Sequence, residues 1–401
     1  MEVFKIKNLV LIVLAVFLFS CTEEYEIKTE NFESLLVVEA TLTDELKVQE
    51  IKLSKTYRLE SDEPTEVNNA QVVIETDEGI EYSFSQANPG VYRSNEVFAA
   101  QAGINYTLRV TLSDGAIYTS TQEVLPPLSE IESLSTSFEM IDGKQGIQVY
   151  VNGNNGGSDA TYFKYDYEET YKIVVPYYSG LDLILTNVSG NGTSYELELV
   201  PKPEDVKTCY STKKSTDIIQ TSLIDSQNNS VTQFPVRFID VEDSTIRERY
   251  SILVRQNVQS VEAYNFYKIL KELGTIDNIF ANNQPGFIQG NITSISNAEE
   301  NVIGFFQVTS VSTKRIFFDY SDFGIQQPQY FFDCNFQEDV DYNDNTGLDG
   351  DRNDFNFIYT ILTNGSYSYF DGQFPIYTFV GVQCGDCTSF SSTAIPEFWE
   401  D

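Results

Sequence analysis

The chain has 401 residues, of which 60 are Asp or Glu and 25 are Lys or Arg, giving a formal net charge of −35. Nucleic acid is excluded as a partner, because neutralising phosphates takes clustered Lys and Arg and the nearest cluster is the pair Lys213-Lys214. The complete absence of histidine removes Ser-His-Asp and Cys-His catalysis and every His-ligated zinc or haem site, which leaves carboxylate chemistry with no pair singled out by spacing.

The chain opens with Lys5 and Lys7, then an apolar run over residues 9–19, then Ser20-Cys21. This is the layout of a secretory signal. As a helix the run makes about 16 Å, half of the ~30 Å that a bilayer core requires. Leu18, Phe19 and Ser20 before Cys21 resemble a bacterial lipobox, with Phe19 bulkier than usual. Residues 1–20 are therefore read as a lipoprotein signal peptide, and 21–33 as a tether lipidated on Cys21. Two or three acyl chains, at ~0.8 kcal/mol per buried methylene, hold a protein essentially permanently. The acidic stretch Thr22-Glu23-Glu24-Tyr25-Glu26 fits either an export signal to the outer face of the outer membrane or a solvated tether.

Short segments rich in β-branched and aromatic residues follow at 35–40, 48–56, 70–76 and 80–85, with turn formers between them. Over 105–113 the alternation puts Tyr106, Leu108, Val110 and Leu112 on one face and Asn105, Thr107, Arg109 and Thr111 on the other, so one face is buried and one is wet. Asp114-Gly115 predicts a type I′ hairpin into 116–124, and Asp142-Gly143 joins 133–141 to 146–152 in the same way. The polar outward faces argue against a membrane-spanning barrel.

Pro126-Pro127 cannot continue a ladder and marks a boundary. The fold class expected is all-β, with an immunoglobulin-like β-sandwich over 34–127 and a larger, irregular β-rich domain over 128–401. That second domain carries one helix, at 261–273: Ser260 caps it, Gly274 closes it, and Val261, Tyr264, Ile269, Leu270 and Leu273 supply an apolar stripe.

With Cys21 assigned to lipid, Cys209, Cys334, Cys384 and Cys387 remain, an even number in a chain bound for an oxidising compartment. Two disulfides are expected. The three connectivities stay open, though a Cys384–Cys387 bridge would close a very small loop, so long-range pairing to Cys209 and Cys334 is favoured. A redox CxxC lacks its βα context here, and a four-thiolate zinc site lacks its second close pair. Over 341–354, Asp341, Asn343 and Asn345, or Asp349, Asp351 and Asn353, are calcium-ligand candidates. In both registers the EF-hand pattern lacks its sixth-position Gly (Thr346 or Asp354) and its twelfth-position Glu (Arg352 or Thr360). A solvated loop is the stronger reading, and no cofactor is expected beyond that possible Ca2+.

Several segments, in order and spacing, resemble a Bacteroidota outer-membrane lipoprotein family, domain of unknown function 4249. They are Leu36-Val37-Val38-Glu39-Ala40, Gly90-Val91-Tyr92, Gly103-Ile104-Asn105-Tyr106, Asp114-Gly115 through Ser120, Leu125-Pro126-Pro127, Gly290-Asn291-Ile292, Val302-Ile303-Gly304-Phe305-Phe306, and the terminal cysteine pair before Pro396-Glu397-Phe398-Trp399. Where such families follow the cysteine pair with basic and glycine residues, this chain has Thr388-Ser389-Phe390-Ser391. The resemblance implies an outer-membrane lipoprotein working beside a TonB-dependent barrel transporter. Together with the lipobox, the absent histidine and the sandwich pattern, it makes the leading expectation a non-enzymatic, lipid-anchored protein facing the cell surface or the periplasm, an accessory or ligand-capture subunit of such a transporter or a similar envelope complex. A free-standing adhesin or glycan-binding protein using exposed Tyr and Phe faces is the alternative. A carboxylate hydrolase, with two acids about 5–10 Å apart in a cleft, is the third reading.

Overall fold

The computed structural model describes residues 34–57, 65–155, 157–202, 204–224, 229–274, 288–334, 337–344 and 353–401. The expected signal peptide, Cys21 and the tether lie outside them. The described chain is all-β with a few short helices, and among its residues no helix is long and apolar enough to cross a membrane.

Strands form close to where the patterning puts them: Leu36–Thr43, Glu50–Lys55, Gln71–Thr76, Glu81–Asn88, Asn105–Thr111 and Ile117–Ser120. In Asn105–Thr111 the inward Tyr106, Leu108 and Val110 are fully buried, and the outward Arg109 meets Glu75 at 2.5 Å. Burying each of those apolar side chains contributes roughly 1.5–3 kcal/mol. The two Asp-Gly turns differ. Asp142 and Gly143 both have positive φ (50° and 80°) between the paired Ile141 and Lys144, a two-residue type I′ turn. At 114–115 Gly115 alone of the two turns positive (92°), and Leu112 pairs with Ala116 through its backbone, so this loop is one residue longer than a type I′ hairpin.

The expected two-sheet sandwich over 34–127 is instead one continuous sheet of 11 strands, and part of it comes from far downstream. Val302–Thr309 pairs in parallel with Leu36–Thr43, and Ile292–Ser294 pairs antiparallel with Ile117–Ser120. These two strands end the sheet and lie side by side, so it curls round one core that includes Tyr92, Tyr106, Leu108, Ile292 and Phe306. Glycine is obligatory at the seam: a Cβ on Gly290 would stand 1.6 Å from the Gly304 carbonyl oxygen. Pro126-Pro127 does mark where the chain leaves this sheet, and the chain returns to it at residue 292.

A true two-sheet sandwich forms beyond that point. The sheet of Ile131–Ile141, Lys144–Asn154 and Ser230–Asp240 packs on a five-stranded sheet built on Tyr162–Val174, Tyr250–Gln259 and Val311–Phe318. Their shared core holds Ile147, Val149, Val151, Phe163, Tyr165, Ile252 and Val254. A third, smaller core joins the hairpin Leu181–Ser189/Ser194–Pro201 to a three-stranded C-terminal sheet and the helix Asp354–Asn364.

The helix expected at 261–273 runs over Val261–Gly274, with the Ser260 hydroxyl accepting from the Ala263 amide at 3.2 Å. Its buried face differs from the expected stripe. Ala263 and Phe266 are buried against Phe305, with Tyr267 and Leu270 beside them, while Val261 and Ile269 are about two-fifths exposed (40% and 42%). Phe305 projects from a strand of the first sheet, while Tyr264 on the helix meets Tyr162 of the sandwich at 4.9 Å, so the helix packs between the two bodies.

The first sheet and the sandwich are locked by a chain of amides. Gln220 Nε2 donates to Gln259 Oε1 (2.8 Å), Gln259 Nε2 to Gln307 Oε1 (3.2 Å), and Gln307 Nε2 to Thr41 Oγ1 (3.0 Å). Buried amides must be satisfied, and this head-to-tail order satisfies them only when the two bodies keep their register.

Candidate functional site

The four remaining cysteines form Cys209–Cys387 and Cys334–Cys384. The close pair Cys384 and Cys387 is thus split between two long-range bridges, as favoured from spacing, and serves neither as a redox dithiol nor as half of a zinc site. Cys334 and Cys384 bracket the C-terminal sheet and helix, while Cys209–Cys387 sits in the sandwich core. Together they fix the third core to the sandwich.

Of the calcium candidates, Asn345, Asp349 and Asp351 lie outside the described residues. Asp341 accepts from the Asn343 amide at 2.9 Å, a local turn, and Asn353 caps the helix Asp354–Asn364 by accepting from Asn356. These are backbone-capping roles, and among the described residues no group of three or more metal-ligating side chains converges. The helix that Asn353 caps was not foreseen: its aromatic and β-branched residues lean toward strand and carry no helical signal of their own.

Two groups of charges elsewhere pair among themselves. In the cleft between first sheet and sandwich, Lys164 pairs with Asp166 (2.8 Å), and Glu45 takes both Arg255 (2.5 Å) and Lys47 (2.6 Å). Burial pushes the Glu45 carboxyl up, but hydrogen bonds from Arg255 and Lys47 outweigh it and leave the group below its ordinary range. Inside the sandwich the carboxylate of Glu169, 5% exposed, receives Arg237 Nε (3.0 Å) and the Tyr250 hydroxyl (2.6 Å). Burial and this carboxylate drive the Tyr250 phenol far above its usual range, so it stays a donor. That geometry satisfies a buried charge, with Asp243 Oδ2 a second carboxylate at 3.8 Å from Arg237 Nη2.

One cavity, of about 630 Å³, sets aromatic rings beside a guanidinium. It opens where the sandwich meets the disulfide-pinned unit and is lined by Tyr177, Arg247, Gln329, Tyr330, Phe331 and Phe332, with Cys334 at its edge. Local chemistry fixes each wall. Arg247 follows a short 3-10 turn capped by Asp243, whose side chain accepts from the Thr245 amide. The Tyr330 hydroxyl donates to the Gln383 carbonyl (2.9 Å), and the Tyr177 amide to the Cys384 carbonyl (3.0 Å), so both are tied to the segment carrying the bridge. Burial raises the Tyr330 phenol well above its usual range, which keeps that bond intact. Phe332 packs edge-on against Phe390 (4.9 Å) and remains 40% exposed. Arg247 lies over the Tyr330 ring (6.0 Å) and donates from Nη1 to the Pro328 carbonyl, while its buried Nε faces Glu248 Oε1 at 3.8 Å, beyond hydrogen-bond reach. An unmet buried donor costs about 1–3 kcal/mol. Only the run Tyr330-Phe331-Phe332-Asp333 beside Cys334 signals this cavity in the sequence; Tyr177 and Arg247 reach it from distant segments.

A family model described as Domain of unknown function (DUF4249) matches residues 22–315. No curated protein matches the chain.

Proposed function

The chain belongs to the family of domain of unknown function 4249, and from there we propose that it is a non-enzymatic lipoprotein of the outer membrane, held by lipid on Cys21, that captures a ligand for a TonB-dependent transporter or a similar envelope complex. The observation that carries this reading is the order of residues 5–21: a basic start, an apolar run too short to span a bilayer, and a cysteine after Leu18-Phe19-Ser20. The family match supports it by beginning at residue 22, directly after that cysteine. Affinity purification from gently solubilised envelopes tests the partner. Co-recovery of a barrel protein is expected, and repeated recovery of this chain alone would count against the assignment.

A second reading, a free-standing adhesin or glycan-binding protein, is favoured by the aromatic walls around Arg247. Glycan binding by cells that carry the protein but lack any barrel partner would select it.

A further inference from the structure

We propose that the cleft between Arg247, Tyr330 and Phe332 is a saccharide-binding site. This deepens the capture role above and rests on it for where the ligand is met, while the binding chemistry stands on the cleft alone. Its volume of about 630 Å³ falls within the ~300–1,000 Å³ typical of small-ligand pockets.

The lining selects the ligand class. A sugar ring presents an apolar C–H face and a rim of hydroxyls. The cleft presents aromatic surface from Tyr177, Tyr330, Phe331 and Phe332 beside the Arg247 guanidinium and the Asp333 side chain. Gln329, exposed at the rim, makes no hydrogen bond among the described residues and can reach a ligand hydroxyl. A purely apolar ligand would leave these polar groups stranded. A small anion would leave the rings uncovered and would approach a chain of net charge −35 against its field. A neutral saccharide uses both halves of the lining.

The walls are also preorganised, which lowers the ordering cost of binding. Tyr330 and Tyr177 are tied to Gln383 and Cys384, Phe331 stacks on Tyr171 at 5.6 Å, and Cys334 is bonded to Cys384.

The test uses the full-length protein in mild detergent against a printed panel of neutral gluco-, xylo-, manno- and chito-oligosaccharides, followed by calorimetric titration of the hits. At least one should bind with a dissociation constant of about 1 mM or tighter, and Phe332→Ala and Arg247→Gln should each weaken it tenfold or more with an unchanged circular dichroism spectrum. Should either variant fail to fold, Gln329→Ala, at an exposed side chain, decides by the same loss. A panel with no hit, or a hit bound equally by the folded variants, overturns the proposal. Membrane retention measured on the same preparations separates the two readings: absent saccharide binding with intact anchoring sinks this site and leaves the lipoprotein assignment standing.

Discussion

The side chain of Asn291 holds the backbone of Phe306 by both of its polar groups. The Phe306 amide donates to Asn291 Oδ1 and Asn291 Nδ2 donates to the Phe306 carbonyl, each at 2.8 Å. A carboxamide can set one N–H donor and its carbonyl acceptor in the geometry of a peptide group, leaving a second N–H free, so Asn291 acts as an extra ladder rung where the two end strands of the first sheet meet. Nδ2 also donates to Glu123 Oε1 at 2.9 Å, which ties a third segment to the seam.

Removing that rung strands a buried amide and a buried carbonyl. Asn291→Ala should lower stability by about 2–6 kcal/mol, at roughly 1–3 kcal/mol for each of the two unsatisfied groups. Denaturant unfolding measures this, and a loss under ~1 kcal/mol would mean that water restores the bonds.

The same seam carries a pH signature. Burial raises the Glu123 carboxyl above its ordinary range, while hydrogen bonds from Asn291 and Thr121 pull it partly back. With the folded value above the unfolded one, the group's stabilising contribution is present below the unfolded value and is lost as pH rises through the folded value. Glu123→Gln keeps an acceptor for Asn291 without the charge. It should melt higher than the parent at pH 7, with the difference vanishing below about pH 4.

Inside the sandwich, Glu169→Leu would leave the half-buried Arg237 with only the more distant Asp243 (3.8 Å) and should cost about 1–3 kcal/mol. Pairing it with Arg237→Met should recover most of that loss. Additive losses in the double variant would show that the two side chains act independently.

The bridges Cys209–Cys387 and Cys334–Cys384 close sequence separations of 178 and 50. Loop entropy gives about 5 and 4 kcal/mol for such closures. A Cys334→Ser/Cys384→Ser variant should release the C-terminal sheet to limited proteolysis while the sandwich resists. Non-reducing peptide mapping should recover the two cross-linked pairs, and a peptide linking Cys384 to Cys387 would refute the pairing.

Local pattern carried the strands of the first sheet, because alternation such as Tyr106, Leu108, Val110 is a property of neighbours in sequence. The type I′ turn at Asp142-Gly143 was legible for the same reason. What escaped depends on partners remote in the chain. Ile292 and Phe306 complete a sheet begun some 250 residues earlier, and nothing near them announces it. The helix at 261 was legible, but its face was misjudged. Apolar spacing ranks Val261 and Ile269 as highly as Phe266, and only the position of Phe305 decides which stripe is covered. Arg247 and Tyr177 carry no signal at all, since their cleft exists only after the disulfides bring three segments together.

The central claim is the lipid on Cys21, and mass spectrometry of the N-terminal peptide from native envelopes tests it most directly. The peptide should begin at Cys21 and carry a diacylglyceryl thioether, and Cys21→Ser should move the protein out of the membrane fraction. An unmodified thiol at that position, or a serine variant retained as firmly as the parent, would contradict the account.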